Sequence, residues 1–371
     1  MHDSLNKLYV EVTTACNLDC VMCVRRAWDE PMGTMPLAAF ARLMEQVREL
    51  PTPPKIHLSG FGEPMVHPHF LEIVRLAKST GAWVEMTSNG MLLDAETAQA
   101  LIDLDLNRLV ISVDGANAAR FEQIRERADF ELVIRNLRRL KTLRLQQRGR
   151  HGNPQLALAF VAMRDNIDDL PNLPALAIQV GAWEILVSNV VPHTPEMEAQ
   201  ILYRESTNAV AYRGSRWAPA LDLPRLDMGG RAAQPVQDVF GSTASMGILG
   251  HRLSDRTDYC TFAQEGFAVV GWDGSVSPCL SLLHSHPEYI RGRRKQIDRL
   301  IFGNVNERTV GDLWASAEYT DFRGKLRDFP FSPCSTCGGC ERFAANYEDC
   351  SDNTFPTCGA CLWAQGFVQC A

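Results

Sequence analysis

The sequence has no run of about 18 consecutive apolar residues, the length that a membrane-spanning helix needs. Its N-terminal segment also lacks the basic and then apolar layout of a signal peptide. The chain also has no excess of positive charge. Its net charge of -7 argues against a general nucleic-acid-binding protein. We therefore expect a cytoplasmic protein with no membrane or nucleic-acid partner.

Cysteine is absent from the long central part of the chain, between Cys23 and Cys260. The sequence nevertheless has 12 cysteines, so all of them lie near its two ends. In a reducing compartment, clustered cysteines are more often metal ligands than disulfides. We expect a cysteine-poor body with a metal site at each end.

The central body alternates short apolar runs with helical patterns in a chain of 371 residues, 46% of them hydrophobic and 22% charged. The predicted strands cover residues 8–13, 55–59, 83–87, 108–113, 156–163 and 183–190. The predicted helices cover residues 37–50, 70–80, 95–104, 118–124, 130–147 and 170–180. This order predicts βα units with a parallel sheet. The fold class is therefore α/β, a partial (β/α)6 TIM-like barrel with a small cysteine-rich C-terminal domain, and its chemistry is expected where the strands end.

Three cysteines directly follow the first predicted strand, with the spacing C-x₃-C-x₂-C at Cys16, Cys20 and Cys23. A structural zinc site takes four protein ligands, which this run does not supply. Three thiolates suit a cubane iron–sulfur cluster that leaves one iron open to a non-protein ligand. The alternative is three buried thiols without a metal.

The next three predicted strands also end in small or polar residues. Residues 59–64 read Ser-Gly-Phe-Gly-Glu-Pro, where glycines let the backbone approach a ligand and the glutamate can pair with an ammonium group. Taken alone, this segment is more typical of a glycine turn before a helix. The candidate ligand-binding residues are Gly60, Gly62, Glu63, Ser88, Asn89 and Ser112 at these strand ends, and Arg125 on the helix that follows the fourth strand.

Residues 7 to about 190 resemble the radical S-adenosylmethionine enzymes, through the cysteine triad, the Gly60–Pro64 segment and the stretch from Ser112 to Arg125. The resemblance implies a [4Fe-4S] cluster whose open iron binds S-adenosylmethionine (SAM). It also implies reductive cleavage of SAM to a 5′-deoxyadenosyl radical that abstracts a substrate hydrogen. One departure is Phe61, where many relatives have a second glycine.

The same resemblance implies roles for the candidate residues. Gly62 and Glu63 would meet the ammonium of the methionine part of SAM. Ser88 and Asn89 would lie on the ribose side, and Ser112 and Arg125 would meet the ribose and the carboxylate. It further implies a ferredoxin or flavodoxin-like electron donor.

The C-terminal region resembles the SPASM extension, which holds auxiliary iron–sulfur clusters. Thirteen residues separate Cys260 from Gly274, four more precede Cys279, and Trp272-Asp273-Gly274 predicts a hairpin turn. The remaining cysteines are Cys334, Cys337, Cys340, Cys350, Cys358, Cys361 and Cys370. Two four-iron clusters would use eight of the nine thiols, although the spacing departs from the commonest SPASM pattern. The alternative is a zinc ribbon made from the pairs Cys337-x₂-Cys340 and Cys358-x₂-Cys361.

These patterns divide the chain into a radical SAM core at residues 1–192, a bridge or substrate lid at 193–254, and a SPASM-like domain at 255–371. The middle segment lacks clear periodicity, so a plain flexible linker is the alternative there.

Three functions remain open. Residues 7–14, 21–25 and 358–370 are similar to maturases associated with tungsten-containing aldehyde oxidoreductases. This similarity favours an enzyme that modifies a protein, peptide or cofactor during maturation of a tungsten or molybdenum oxidoreductase. The alternatives are modification of a ribosomally made peptide, by crosslinking or dehydrogenation, and a non-catalytic iron–sulfur electron carrier. The first two imply a protein or peptide substrate.

Overall fold

The computed structural model describes residues 4–149, 151–204, 220–223, 231, 234–235, 245–248, 251–252, 259–332, 334 and 340–370. All six predicted βα units are present, so the predicted partial (β/α)6 barrel is confirmed. The strands are β1 (Lys7–Val10), β2 (Lys55–Leu58), β3 (Val84–Ser88), β4 (Arg108–Ser112), β5 (Gln155–Ala162) and β6 (Glu184–Asn189). The helices are α1 (Leu37–Glu49), α2 (Phe70–Lys78), α3 (Ala95–Asp103), α4 (Ala118–Ile124), α5 (Phe130–Arg148) and α6 (Leu173–Val180).

Local chemistry sets where these helices begin. Asp94, Asn117 and Asp129 precede α3, α4 and α5, and each side chain accepts a hydrogen bond from a backbone N–H of the first turn. The predicted helix over residues 170–180 begins instead with a 3-10 turn at Ile167–Asn172, which contains Pro171. Pro171 and Pro174 have no N–H to donate, and proline is tolerated only in the first turn of a helix, so the regular helix α6 starts at Leu173.

The parallel sheet is wider than the six predicted strands. Two strands of the C-terminal region, β10 (Phe267–Val270) and β11 (Val276–Ser277), extend it in the order β11-β10-β1-β2-β3-β4-β5-β6. β10 runs parallel to β1, and the register places Lys7 opposite Phe267 and Val10 opposite Val270. The cysteine-rich region is therefore joined to the barrel by backbone hydrogen bonds.

The two faces of the sheet differ in polarity. Alternate residues of β1 and β2 (Leu8, Val10, Ile56 and Leu58) have no exposed surface and pack into the core against the helices. Burying each such side chain contributes about 1.5–3 kcal/mol to folding. The other face lines the inside of the barrel.

Charged residues occupy the inner face at the start of the strands. Lys7 Nζ lies 2.6 Å from Glu85 Oε1, and Arg108 Nη1 lies 3.3 Å from Glu85 Oε2. His57 Nδ1 lies 2.9 Å from Glu85 Oε1, and burial lowers the pKa of His57 to about 4. His57 is therefore neutral at pH 7 and donates to Glu85, so that one buried carboxylate is satisfied by three partners.

The remaining strands are β7 (Ala220–Leu223), β8 (Ser245–Ile248), β9 (His251–Arg252), β12 (His286–Ile290) and β13 (Arg293–Ile297). In the part of the chain that the structure describes, the remaining helices are α7 (Pro195–Gln200), α8 (Thr261–Glu265), α9 (Val310–Trp314) and α10 (Ala317–Asp328). The structure describes the predicted bridge at 193–254 only in part. It shows α7, the small sheet of β7, β8 and β9, and a few flanking residues, and the other residues of the bridge lie outside the described ranges. Across the described ranges, no helix has the length and apolar character required to cross a bilayer.

Candidate functional site

The loop that carries Cys16, Cys20 and Cys23 follows β1 at the carboxyl end of the sheet. Arg25 holds this loop in shape, since its guanidinium donates to the carbonyl oxygens of Thr14 at 3.0 Å and Leu18 at 2.9 Å. All three thiols are partly buried and form no disulfide.

Hydrogen-bond donors surround the sulfur atoms of the loop. The Leu18 amide lies 3.4 Å from Cys16 Sγ, Asn89 Nδ2 lies 3.8 Å from the same atom, and Arg125 Nη1 lies 3.9 Å from Cys20 Sγ. Burial raises the pKa of Cys20 to about 11, so its proton is retained until a metal displaces it. Sulfur atoms that accept hydrogen bonds in a buried site fit the thiolate ligands of an iron–sulfur cluster.

The glycine segment, residues 60–63 after β2, runs directly beside the cysteine loop. The Glu63 amide donates to the Ala15 carbonyl at 2.9 Å. A Cβ atom added to Gly62 would collide with the carbonyl oxygen of Thr13, so only glycine fits there. At Phe61 the backbone amide donates to Glu11 Oε1 at 2.9 Å. The segment therefore presents backbone rather than side chains to the cysteine loop.

Glu63, Ser88 and Asn89 form one hydrogen-bonded unit. Glu63 Oε1 accepts from the Met65 amide at 3.1 Å and from Ser88 Oγ at 2.9 Å, and its Oε2 accepts from the Asn89 amide at 2.7 Å. The Glu63 side chain is buried, which raises the pKa of its carboxyl group, while these three hydrogen bonds oppose the shift. The carboxylate of Glu63 thus joins the end of β2 to the end of β3.

Arg125, which contacts Cys20 of the cysteine loop, is held in place by a buried ion pair with Asp114. Its Nη2 lies 2.6 Å from Asp114 Oδ2, and Asp114 has no exposed side-chain surface. Asp114 Oδ1 accepts from the Val161 amide at 2.7 Å, which ties the pair to β5. Sequence reasoning did not select Asp114 as a site residue, although a buried arginine requires an anionic partner. Ser112 ends β4 with a partly buried side chain and lies opposite Ala159 in the sheet register.

Five C-terminal cysteines lie together beside β1. Cys260, Cys279, Cys361 and Cys370 line a cavity of about 350 Å³ that also touches Tyr9. Cys358 joins Cys260, Cys279 and Cys361 around a small adjoining space. Cys260 and Cys279 are at least 79 positions from Cys358, Cys361 and Cys370 in the sequence, so only the fold brings the five into one group.

The chemistry of this cavity fits a polynuclear cluster. Burial raises the pKa of Cys260 to about 12 and that of Cys370 to about 11, so the free thiols are neutral at pH 7. Within the described residues, no three His, Cys, Asp or Glu side chains converge on one point closely enough to hold a single metal ion. A cubane cluster needs a wider arrangement, because its cysteines bind different iron atoms.

The other four C-terminal cysteines belong to the segment from residue 334 to residue 350. Cys334 is partly buried, Cys340 and Cys350 are exposed, and Cys337 lies outside the described residues. The Cys334 amide donates to the Ser332 carbonyl at 2.8 Å. The Ser332 amide donates to Asp349 Oδ2 at 2.9 Å, which brings the two ends of this segment together. The described C-terminal thiols therefore comprise a deep group of five and three others in an outer group, Cys334, Cys340 and Cys350, whose segment of the sequence also contains Cys337.

Two family models match the chain. The radical SAM superfamily matches residues 10–147, and the iron–sulfur cluster-binding SPASM domain matches residues 260–341. The chain is 30% identical over 369 residues to the tungsten-containing aldehyde ferredoxin oxidoreductase cofactor-modifying protein of Pyrococcus furiosus, covering 98% of this chain and 96% of that one. It is 26% identical to the PqqA peptide cyclase of Gluconobacter oxydans, covering 95% of this chain and 89% of that one.

Solved structures share the fold at low identity. The structure of native anSMEcpe with bound AdoMet has a TM-score of 0.60 and 16% identity, covering 97% of this chain and 95% of that one. The structure of Streptococcus suis SuiB bound to its precursor peptide SuiA has a TM-score of 0.57 and 15% identity, covering 90% of this chain and 69% of that one.

Proposed function

The chain belongs to the radical SAM superfamily and carries a SPASM iron–sulfur domain, and from this premise we propose that it takes part in maturation of a tungsten or molybdenum oxidoreductase. Its substrate there is a protein, a peptide or the cofactor of that enzyme. The observation that carries this proposal is the similarity to the Pyrococcus furiosus cofactor-modifying protein along almost the whole of both chains.

The proposed SAM site lies where the cysteine loop meets the glycine segment. Cys16, Cys20 and Cys23 hold the cluster, and Gly62 and Glu63 face the ammonium group of SAM. When bound, the cluster and SAM together supply a 5′-deoxyadenosyl radical after one-electron reduction. Three hydrogen bonds fix the Glu63 side chain and use three of its four acceptor sites, which leaves one on Oε2 for that ammonium.

The other predicted residues orient this site. Asn89 donates to Asn17 Oδ1 at 2.8 Å and lies beside Cys16, so it occupies the boundary between cluster and cosubstrate. Arg125 is held by Asp114 next to Cys20, where its positive charge offsets the negative charge of a thiolate cluster. Ser112, at the end of β4, is proposed to meet the ribose.

The deep C-terminal thiols support one auxiliary cluster, with ligands drawn from Cys260, Cys279, Cys358, Cys361 and Cys370. The outer group, Cys334, Cys337, Cys340 and Cys350, supports a second. The deep group leaves one thiol over, in agreement with nine thiols for eight ligand positions. A ferredoxin or flavodoxin-like protein is the proposed electron donor.

Peptide modification is the second candidate function. The similarity to the PqqA peptide cyclase favours it, since that relative is also matched over most of its length. A plain electron carrier accounts less well for Gly62, which is packed against Thr13 where no other residue fits.

The experiment is an anaerobic assay of the reconstituted protein with SAM and a strong reductant. We expect the purified unmatured tungsten or molybdenum oxidoreductase from the same organism to raise 5′-deoxyadenosine formation several-fold and to gain activity. A short cysteine-rich precursor peptide that gives the stimulation instead would favour peptide modification. Stimulation by neither substrate would contradict both proposals.

A further inference from the structure

A histidine of the C-terminal region contacts two carboxylates that lie next to the proposed SAM site. His284 lies two residues after a 3-10 turn at Leu280–Leu282. Its Nε2 is 2.8 Å from Glu11 Oε2, and its Nδ1 is 2.6 Å from Glu30 Oε2. Glu11 directly follows β1, and Glu30 follows the cysteine loop. One imidazole therefore bridges two carboxylates that belong to the barrel.

Glu11 transmits this contact to the glycine segment. Its second oxygen, Oε1, accepts the hydrogen bond from the Phe61 amide at 2.9 Å. A Cβ atom added to Gly60 would collide with the Glu11 side chain, so the segment lies directly against it. The contacts thus run from His284 through Glu11 to the backbone of Gly60 and Phe61.

The surroundings of His284 keep it charged at neutral pH. Its ring lies 4.2 Å from the Trp28 ring and 5.7 Å from the Phe61 ring, measured between centroids, and is 5% exposed. Burial lowers the pKa of His284, but the hydrogen bonds with Glu11 and Glu30 outweigh it and raise the pKa to about 9. Among the described residues, two further charged side chains lie here: Arg299, 3.5 Å from Glu30 Oε2, and Asp273, whose Oδ2 is 3.9 Å from Arg299 Nη2.

We propose that His284 is a positioning residue for SAM binding, which holds Glu11 against the Phe61 amide and so fixes the Gly60–Glu63 segment. The proposal rests on the SAM site assigned above. Glu11 has no exposed surface, and without the imidazolium its charge would be buried unpaired. It would then rotate toward water or another donor, and the segment would lose the support that sets its distance from the cysteine loop.

The first test measures SAM affinity by equilibrium dialysis on anaerobically reconstituted protein, without a reductant. His284→Gln is expected to bind SAM about tenfold more weakly, the effect of losing one charge-assisted hydrogen bond. Glu11→Gln is expected to weaken binding at least as much. Because both act on one contact, the double variant should bind no more weakly than Glu11→Gln alone. Iron content should be unchanged in all three variants.

The second test measures the same affinities against pH. The support from His284 is fully present below its unperturbed pKa of about 6.5 and is lost as the pH rises through about 9. The ratio of the dissociation constants of His284→Gln and parent should therefore fall from about ten toward one above pH 9. Titration of SAM itself is common to both proteins and cancels in this ratio.

Glu30→Gln provides a variant that keeps both His284 and Glu11 even if His284→Gln fails to fold. Removing one carboxylate lowers the pKa of His284, so the loss of SAM affinity should begin at a lower pH than in the parent. Equal SAM affinity of His284→Gln and parent, additive losses in the double variant, or an unshifted pH dependence in Glu30→Gln would overturn the proposal. A parent protein that binds no SAM would instead overturn the SAM site itself.

Discussion

Replacing Cys16, Cys20 and Cys23 together by alanine is expected to abolish formation of 5′-deoxyadenosine from SAM. The three thiols lie in one loop, and hydrogen-bond donors from Leu18, Asn89 and Arg125 point at its sulfur atoms. Alanine provides no ligand, so the iron that binds SAM cannot be held. The measurement is chromatographic quantification of 5′-deoxyadenosine after anaerobic incubation with SAM and a strong reductant.

The iron retained by this variant provides its control. The deep and outer thiol groups share no residue with the N-terminal loop, so they should load independently. The variant should keep about two thirds of the iron of the parent, as expected when one of three four-iron clusters is lost. Cleavage of SAM at the parental rate would refute the assignment of the loop, and loss of nearly all the iron would refute independent loading.

Arg125→Met is expected to lower the free energy of unfolding by about 3 to 5 kcal/mol, because it leaves the Asp114 carboxylate unpaired in the interior. Only 8% of the Arg125 side chain and none of the Asp114 side chain is exposed, so solvent screening offers no relief. Anaerobic urea unfolding of the reconstituted protein measures the change.

Two matched variants separate this buried pair from a general effect of losing an arginine. Arg120 lies on α4, which ends at the residue before Arg125, and among the described residues its side chain bonds only Gln123, at 3.1 Å. Arg120→Met should change the free energy of unfolding by no more than about 0.5 kcal/mol. In an Asp114→Asn background, Arg125→Met should cost less than half its value in the parent, since no buried charge remains. Equal losses for both arginines would show that the ion pair has no special role.

The sequence predicted the barrel well because each βα unit has a local signal. Apolar runs bounded by turn residues located all six strands, and helical periodicity located the helices between them. The start of one helix differed from the prediction, because a 3-10 turn that contains Pro171 precedes α6. The pairing of β10 with β1 had no such signal, since these parallel strands are joined by more than 250 residues.

The candidate site was predicted to a different extent at each position. Cys16, Cys20, Cys23 and Gly62 stood out because their spacing or residue type is unusual, and the fold brings them together. The hydrogen bonds from Ser88 and Asn89 to Glu63 could be expected only in outline, as neighbours at strand ends. Asp114 and His284 carry no pattern of their own, because their roles depend on Arg125 and Glu11, and His284 is 273 residues from Glu11. Contacts of this kind become visible only in three dimensions.

The metal content of the reconstituted parent protein tests the three-cluster account most directly. Iron, acid-labile sulfide and zinc should be determined on the same anaerobic sample and divided by the protein concentration. One SAM-binding cluster, one cluster on the deep thiols and one on the outer thiols predict about twelve iron and about twelve sulfide per chain, with no zinc. About four iron together with one zinc per chain would instead indicate a zinc ribbon and would contradict the account.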